Sequence, residues 1–169
     1  MKEIWDIVDS EGRPTGRTME KGAPMAPGEY HLSVSVWIVN EKGEFLISKR
    51  ASAKKAAPDM WETTGGSALA GEDALTAALR EVREELGIDP DPAKGRIFLT
   101  YTWPHSDGSG AAYIVVWIFR QDFDPAEITL QKEETSDARW ASREELKKLI
   151  GEGRFIPYTY IGELFKAAK

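Results

Sequence analysis

The fold class predicted for this chain is an α/β sandwich, on three observations. From His31 to Val39 the residues alternate. Leu32, Val34, Val36 and Ile38 take one face and Ser33, Ser35 and Trp37 the other, the period of two that marks a strand. From about Glu72 to Leu86, apolar Leu75, Leu79, Val82 and Leu86 recur at helical spacing, and Gly87 follows as the residue best suited to a left-handed C-cap. The remaining segments mix strand-like and helix-like runs, so helices are expected to pack on a sheet.

In chain order, residues 3–8 predict a strand, Asp9 to Pro14 carry turn chemistry, and residues 15–19 return as a second strand, an N-terminal hairpin over about 3–19. Residues 22–29, with two prolines and two glycines, predict a loop. Asn40-Glu41-Lys42-Gly43 is a hairpin turn and Glu44 to Lys49 the partner strand of 31–39. Residues 51–60 are a polar, Ala-rich loop. Trp61 to Thr64 predict a short strand that Gly65-Gly66 ends. Ile97 to Trp103 and Tyr113 to Arg120 predict two more strands, the second rich in β-branched and aromatic residues. The Gly-containing stretch Pro104 to Gly110 between them is expected to be a mobile loop, a flexible connection first and a flap over a ligand as the alternative. Ser142 with Glu145 makes a capping box for a helix over 143–150, and a last helix is expected over 159–168.

The chain has 169 residues, which suits one domain over 1–169 with a core that needs no staples. Its formal charge of -6 argues against nucleic-acid polymers, whose binding needs clustered positive charge. There is no cysteine, which excludes disulfides, zinc–thiolate sites and cysteine nucleophiles. The N-terminus has no apolar signal core and no stretch approaches a membrane span, so a cytoplasmic protein without a membrane partner is expected.

The chemistry concentrates in Gly66 to Glu72 and, seven residues on, Arg80-Glu81-Val82-Arg83-Glu84-Glu85-Leu86-Gly87-Ile88. With Arg80 at zero on a helix, Glu81, Glu84 and Glu85 fall at about 100°, 40° and 140°, and the apolar positions at about 200° to 260°. One face is core and the adjacent face carries three carboxylates. Such a trio repels itself. Hard cations such as Mg²⁺ prefer oxygen ligands and bridge carboxylates to phosphates, polarising a P–O bond and acidifying a bound water. The plainer alternative for a Glu-rich helix is a solvated acidic face, with Arg80 and Arg83 supplying ordinary ion pairs.

This stretch resembles the Nudix box. The resemblance matches every fixed position: Gly66, Glu72, Arg80, Glu81, Val82, Glu84, Glu85, Gly87 and Ile88, within a box spanning 66–88. It implies a Nudix-type α/β/α sandwich with a mixed β-sheet, and a hydrolase that cuts the diphosphate linkage of a small molecule with Mg²⁺ or Mn²⁺. It also implies roles. Glu81, Glu84 and Glu85 become metal ligands together with the Gly65 carbonyl, Glu72 an additional ligand or a supporting carboxylate, and Arg80 an orienting partner that ion-pairs within the box. The general base lies either in the box or on a later loop, where Glu134, beside Glu133 and ahead of Trp140, is the candidate. A homodimer is open, since many members dimerise.

Beyond the box, Trp5-Asp6, Gly28-Glu29-Tyr30-His31, Lys49-Arg50 and Pro58-Asp59-Met60-Trp61 are similar to the bacterial branch related to isopentenyl diphosphate isomerase. Those isomerases use a cysteine and several histidines. Here no cysteine exists, and Ser67 stands where a histidine is expected, so isomerase activity is not expected. His31 then becomes a strand-start residue satisfied by hydrogen bonds. The expected substrate is a nucleoside diphosphate or a derivative, the alternative an isoprenoid or thiamine diphosphate. Arg50 is the candidate phosphate contact, and Trp61 and Trp103 the candidate ligand-facing rings.

Overall fold

The computed structural model describes residues 1–168. Nine strands and three helices follow one another as β1 (Ile4–Val8), β2 (Pro14–Glu20), β3 (Tyr30–Val39), β4 (Phe45–Arg50), β5 (Trp61–Glu62), β6 (Thr64–Ser67), α1 (Ala74–Leu86), β7 (Gly95–Pro104), β8 (Ala111–Arg120), β9 (Thr135–Ala141), α2 (Arg143–Gly151) and α3 (Ile161–Ala167).

β3 organises the sheet. Along one edge it pairs in parallel with β8, from His31↔Ala112 to Val39↔Arg120. Along the other it meets β1, β6 and β4 in succession, all antiparallel. β7 pairs only with β8, and β4 continues into β9 and β5. The sheet is therefore mixed, as expected.

The alternation in β3 divides two cores. Val34, Val36 and Ile38 pack with Val115, Trp117 and Phe119 under Ala78, Val82 and Leu86 of α1. Trp37, Val116 and Ile118 pack on the opposite face against Leu146, Leu149, Leu164 and Phe165 of α2 and α3. This is an α/β/α sandwich. The apolar continuity of β8, buried on both faces, follows from that layering.

Three expectations change. Gly65-Gly66 do not end the strand: β6 runs through both and pairs with Ser35 and Val34, because an extended glycine still donates and accepts along a ladder. α1 starts at Ala74, not Glu72, because Asp73 accepts from the Thr76 amide and caps it, leaving Glu72 in the preceding turn. β9 has no counterpart among the expected strands, since Thr135-Ser136-Asp137-Ala138-Arg139 lacks a clear apolar alternation and forms by pairing with β4. Gly87 does close α1 with φ 68°, and Ser142 and Glu145 do form the capping box of α2.

Candidate active site

The box helix turns its carboxylates inward. Glu81 and Glu85 lie on the same side of α1 as buried Ala77, Ala78 and Val82, facing the sheet across a gap that small residues leave open. The glycines of β6 make the approach possible: a β-carbon at Gly66 would collide with the Glu81 carboxylate, and one at Gly65 with the Val34 carbonyl. Ser33 donates to the Gly66 carbonyl at 2.9 Å and holds that strand in place.

Arg80 ties the box together. Its Nε and Nη2 reach both oxygens of Glu72 at 2.6 and 3.0 Å, Nη2 also reaches the Ser67 carbonyl at 3.0 Å, and Nη1 donates to Glu81 at 3.0 Å and Glu84 at 3.2 Å. Glu72 further accepts from the Leu69 amide at 2.9 Å. Both Glu72 oxygens are thus engaged by Arg80 and the Leu69 amide, so that Glu72 supports Arg80. The Glu72 contacts, followed by Glu81, hold the guanidinium proton even more firmly than usual.

Burial pushes the Glu81 carboxyl up to about 7, against the opposing pull of Arg80. Glu85 is pushed well above the carboxylate range, first by burial, then by neighbouring Glu81 and Glu62. No side chain among the described residues donates a hydrogen bond to it. Glu84 sits at the rim with its side chain half exposed.

These groups open on a polar cleft of about 440 Å³. The facing wall comes from distant segments. Lys54, in the loop after β4, ion-pairs with Glu134, in the loop before β9. Arg50 makes two 3.1 Å contacts to Glu62, whose carboxyl burial raises while Arg50 opposes. Ser33 and Ser35 of β3 form the floor, the buried Tyr158 hydroxyl, which accepts from the Thr63 amide at 3.3 Å, lines one side, and Glu3 and Lys21 pair at 3.2 Å at the mouth. Cations and carboxylates are interspersed around the cleft.

Hard divalent cations suit this donor set. Glu81 and Glu85 carry oxygen ligands that are partly stripped of water and underneutralised, and the Gly65 carbonyl strand borders them. In the conformation described, no three acidic or histidine groups among the described residues converge on one point, because Arg80 draws Glu81 and Glu84 to itself.

The structure thus brings Gly65, Arg80, Glu81, Glu84, Glu85, Arg50 and Glu134 to one cleft. It does not bring Trp61 there. That ring is 5% exposed in the core, with the Arg139 guanidinium 5.1 Å from its centre, because Trp61 bridges Phe155 in the sheet and points to the α2–α3 side. Trp103 stands outside the carboxylate cleft, in a neighbouring depression. The 104–110 turn does not arch over the carboxylates: Ser109 accepts from the Met25 amide at 2.8 Å and Gly110 packs on the Met25 side chain, pinning it to the 22–29 loop. Lys54, Glu62, Lys21 and Tyr158 escaped sequence reasoning, as nothing in their local sequence marks them. A groove of about 790 Å³ opens elsewhere, around Asn40–Glu44, Arg120 and Arg143; no box residue lines it.

His31 corrects its expectation. Its Nε2 lies 2.9 Å from His105 Nε2 and its ring stacks on Trp5 at 4.1 Å, yet its buried Nδ1 has no partner among the described residues.

Comparison with known proteins agrees with this fold and with the box that the cleft contains. The NUDIX domain model matches residues 29–159. An uncharacterised Nudix hydrolase of Listeria monocytogenes is 42% identical over 164 residues, 96% of this chain and 94% of that protein. An isopentenyl-diphosphate Delta-isomerase of Escherichia coli is 29% identical over 135 residues, 79% of this chain and 74% of that protein. The crystal structure of DR0079 from Deinococcus radiodurans superposes with a TM-score of 0.73 at 21% identity, covering 98% of this chain and 99% of that one.

Proposed function

From its membership of the Nudix hydrolase family, whose members act on diphosphate-containing small molecules and are generally dependent on divalent metal, we propose that this chain hydrolyses the diphosphate linkage of a nucleoside diphosphate or a derivative of one. The observation that carries the reading is the arrangement around Arg80: one guanidinium holds both Glu81 and the rim carboxylate Glu84 beside the buried Glu85, all three lining one polar cleft.

Glu81, Glu84 and Glu85 would hold Mg²⁺ or Mn²⁺, with the Gly65 carbonyl as a further oxygen ligand. When bound, the ions screen the diphosphate and lower the pKa of a coordinated water. The chain's own groups do the rest. Glu72 and the Ser67 carbonyl lock Arg80, and Arg80 in turn keeps Glu81 and Glu84 at the cleft. Arg50 and Lys54 face the space a diphosphate fills and neutralise its charge. Glu134, across the cleft and oriented by Lys54, accepts the proton of the attacking water.

The absence of cysteine, and Ser67 in place of a histidine, weigh against isomerase chemistry despite the isomerase relative. The test is a screen with Mg²⁺ and with Mn²⁺ over nucleoside di- and triphosphates, nucleotide sugars, dinucleoside polyphosphates and isoprenoid and thiamine diphosphates, with Glu84→Gln as blank. Turnover of a nucleotide well above that blank is expected. A decisive preference for a non-nucleotide diphosphate would replace the nucleotide, and no turnover on any of them would overturn hydrolysis.

A further inference from the structure

The box opens with a tight turn whose amides are held from outside the box. The Glu72 amide donates to the Leu69 carbonyl at 3.0 Å, closing a four-residue turn over Leu69-Ala70-Gly71-Glu72. Gly71, at the third position, has φ 87°, while Ala70 keeps a negative φ; this is the type II geometry that calls for glycine there. Such a turn satisfies only its last amide. The Ala70 and Gly71 N–H groups need acceptors elsewhere.

β1 supplies both. The Ala70 amide donates to the Ile4 carbonyl at 2.8 Å, and the Gly71 amide to the Asp6 carboxylate, also at 2.8 Å. The first bond uses backbone on both sides and does not depend on side-chain identity. The second exists only because residue 6 carries an acceptor. The β1–β2 ladder shifts register between Asp6 and Val8, an irregularity of the kind that re-aims a side chain.

The turn reaches the cleft through Glu72. Its carboxylate accepts from the Leu69 amide at the start of the turn and from Arg80 at both oxygens, and Arg80 donates onward to Glu81 and Glu84. Without Asp6 the Gly71 N–H has no acceptor. The Ala70–Gly71 peptide is then free to rotate, and the Leu69–Glu72 pair that aims the Arg80 fork loosens.

We infer that Asp6 is a positioning residue for the metal-binding box: its carboxylate holds the 69–72 turn, the turn holds Glu72, and Glu72 holds the Arg80 fork on Glu81 and Glu84. The inference rests on the reading of Glu81, Glu84 and Glu85 as metal ligands. It makes the N-terminal hairpin part of the functional unit, although residues 1–28 lie outside the stretch that the NUDIX domain model matches. Glu3 and Lys21, at the two ends of that hairpin, already stand at the cleft mouth.

The experiment measures Mn²⁺ affinity, from free Mn²⁺ seen by electron paramagnetic resonance, for the wild-type protein, Asp6→Ala, Asp6→Asn and Thr15→Val. Asp6→Asn keeps an oxygen acceptor without the charge. Thr15→Val removes a hairpin bond that involves no box residue, from Thr15 Oγ1 to the Ile7 carbonyl at 2.9 Å, and so reports on hairpin stability alone. Circular dichroism checks the fold of each variant. Asp6→Ala is expected to bind Mn²⁺ about tenfold more weakly, the lower end of the usual cost of removing a group that orients ligands. Asp6→Asn is expected to recover most of that loss, and Thr15→Val to match wild type. Unchanged affinity in Asp6→Ala overturns the inference. So does equal weakening in Asp6→Asn, which would make charge rather than the acceptor the cause, or in Thr15→Val, which would reduce the effect to hairpin stability. The hydrolase reading fails separately: Mn²⁺ binding that responds to Asp6 with no diphosphate turned over keeps the role of Asp6 and removes the reaction. A wild-type protein that binds no Mn²⁺ removes the metal reading and this inference together.

Discussion

At the scale of single residues, Arg80 and Glu85 show opposite electrostatic strategies. Arg80 is surrounded by acceptors and serves as a clamp; Glu85 is buried beside other carboxylates, with no side-chain donor among the described residues. Replacing Glu84 or Glu85 by Gln should reduce turnover to background while thermal melting stays cooperative. At Glu85 the melting temperature of the metal-free protein should not fall, because a neutral amide replaces a group that burial already disfavours as an anion. Retained activity in both variants, measured by phosphate release, would remove them from the mechanism. Arg80→Lys keeps the charge but loses the fork that spans Glu72, Glu81, Glu84 and Ser67. Activity should fall about 10- to 100-fold, the usual cost of disturbing a group that orients ligands, with Mg²⁺ dependence shifted to higher concentration.

At the scale of elements, the box helix depends on its ends. Gly87 takes a left-handed backbone and donates to the Arg83 carbonyl at 2.9 Å, and a β-carbon there would meet Thr129. Gly87→Ala should cost about 1–2 kcal/mol, a drop of roughly 3–6 °C in Tm for a chain of this size; calorimetry that finds no drop would mean that the turn relaxes freely. Elements with strong periodic signals, β3, β8 and α1, were legible because burial on defined faces dictates their residues. β9 and the continuation of β6 through two glycines were not, since both owe their strand state to a partner strand that local composition does not reveal. Trp61 and Trp103 illustrate the same limit. Both are tryptophans in strands, yet one is sealed under α2 and α3 and the other is left bare at an edge.

At the scale of the molecule, buried titrating groups set a pH window. Glu81 titrates at about 7 when folded, above its ordinary 4.5, so between these values the folded state holds more protons than the unfolded one and stability falls as pH rises. His31 is held near 4, below its ordinary 6.5, by burial and then by His105, so between 4 and 6.5 the unfolded state holds more protons and stability rises with pH. Each contributes at most about 3 kcal/mol. In chelator the Tm should therefore decline from pH 6.5 toward pH 7.5, and Mg²⁺ should raise it most at the upper end. Between pH 4.5 and 6.5 the two trends oppose each other, so the Tm of His31→Gln should decline with rising pH across an interval where wild type stays nearly level. Identical acid limbs in melting scans of the two proteins would refute the assignment to His31.

Residues 66 to 88 by themselves mark the family and set three carboxylates on one side of α1, because a helix places groups three and four apart on one side whatever surrounds it. The strand periods likewise settled the layered architecture. The opposite wall of the cleft could be found only in three dimensions. Lys54 and Glu134 are 80 residues apart and meet because β4 pairs with β9, and Trp103 flanks His31 because β8 lies between β7 and β3. Pairing register depends on contacts between segments distant in the chain, and it is register that decides which side chains stand around the cleft.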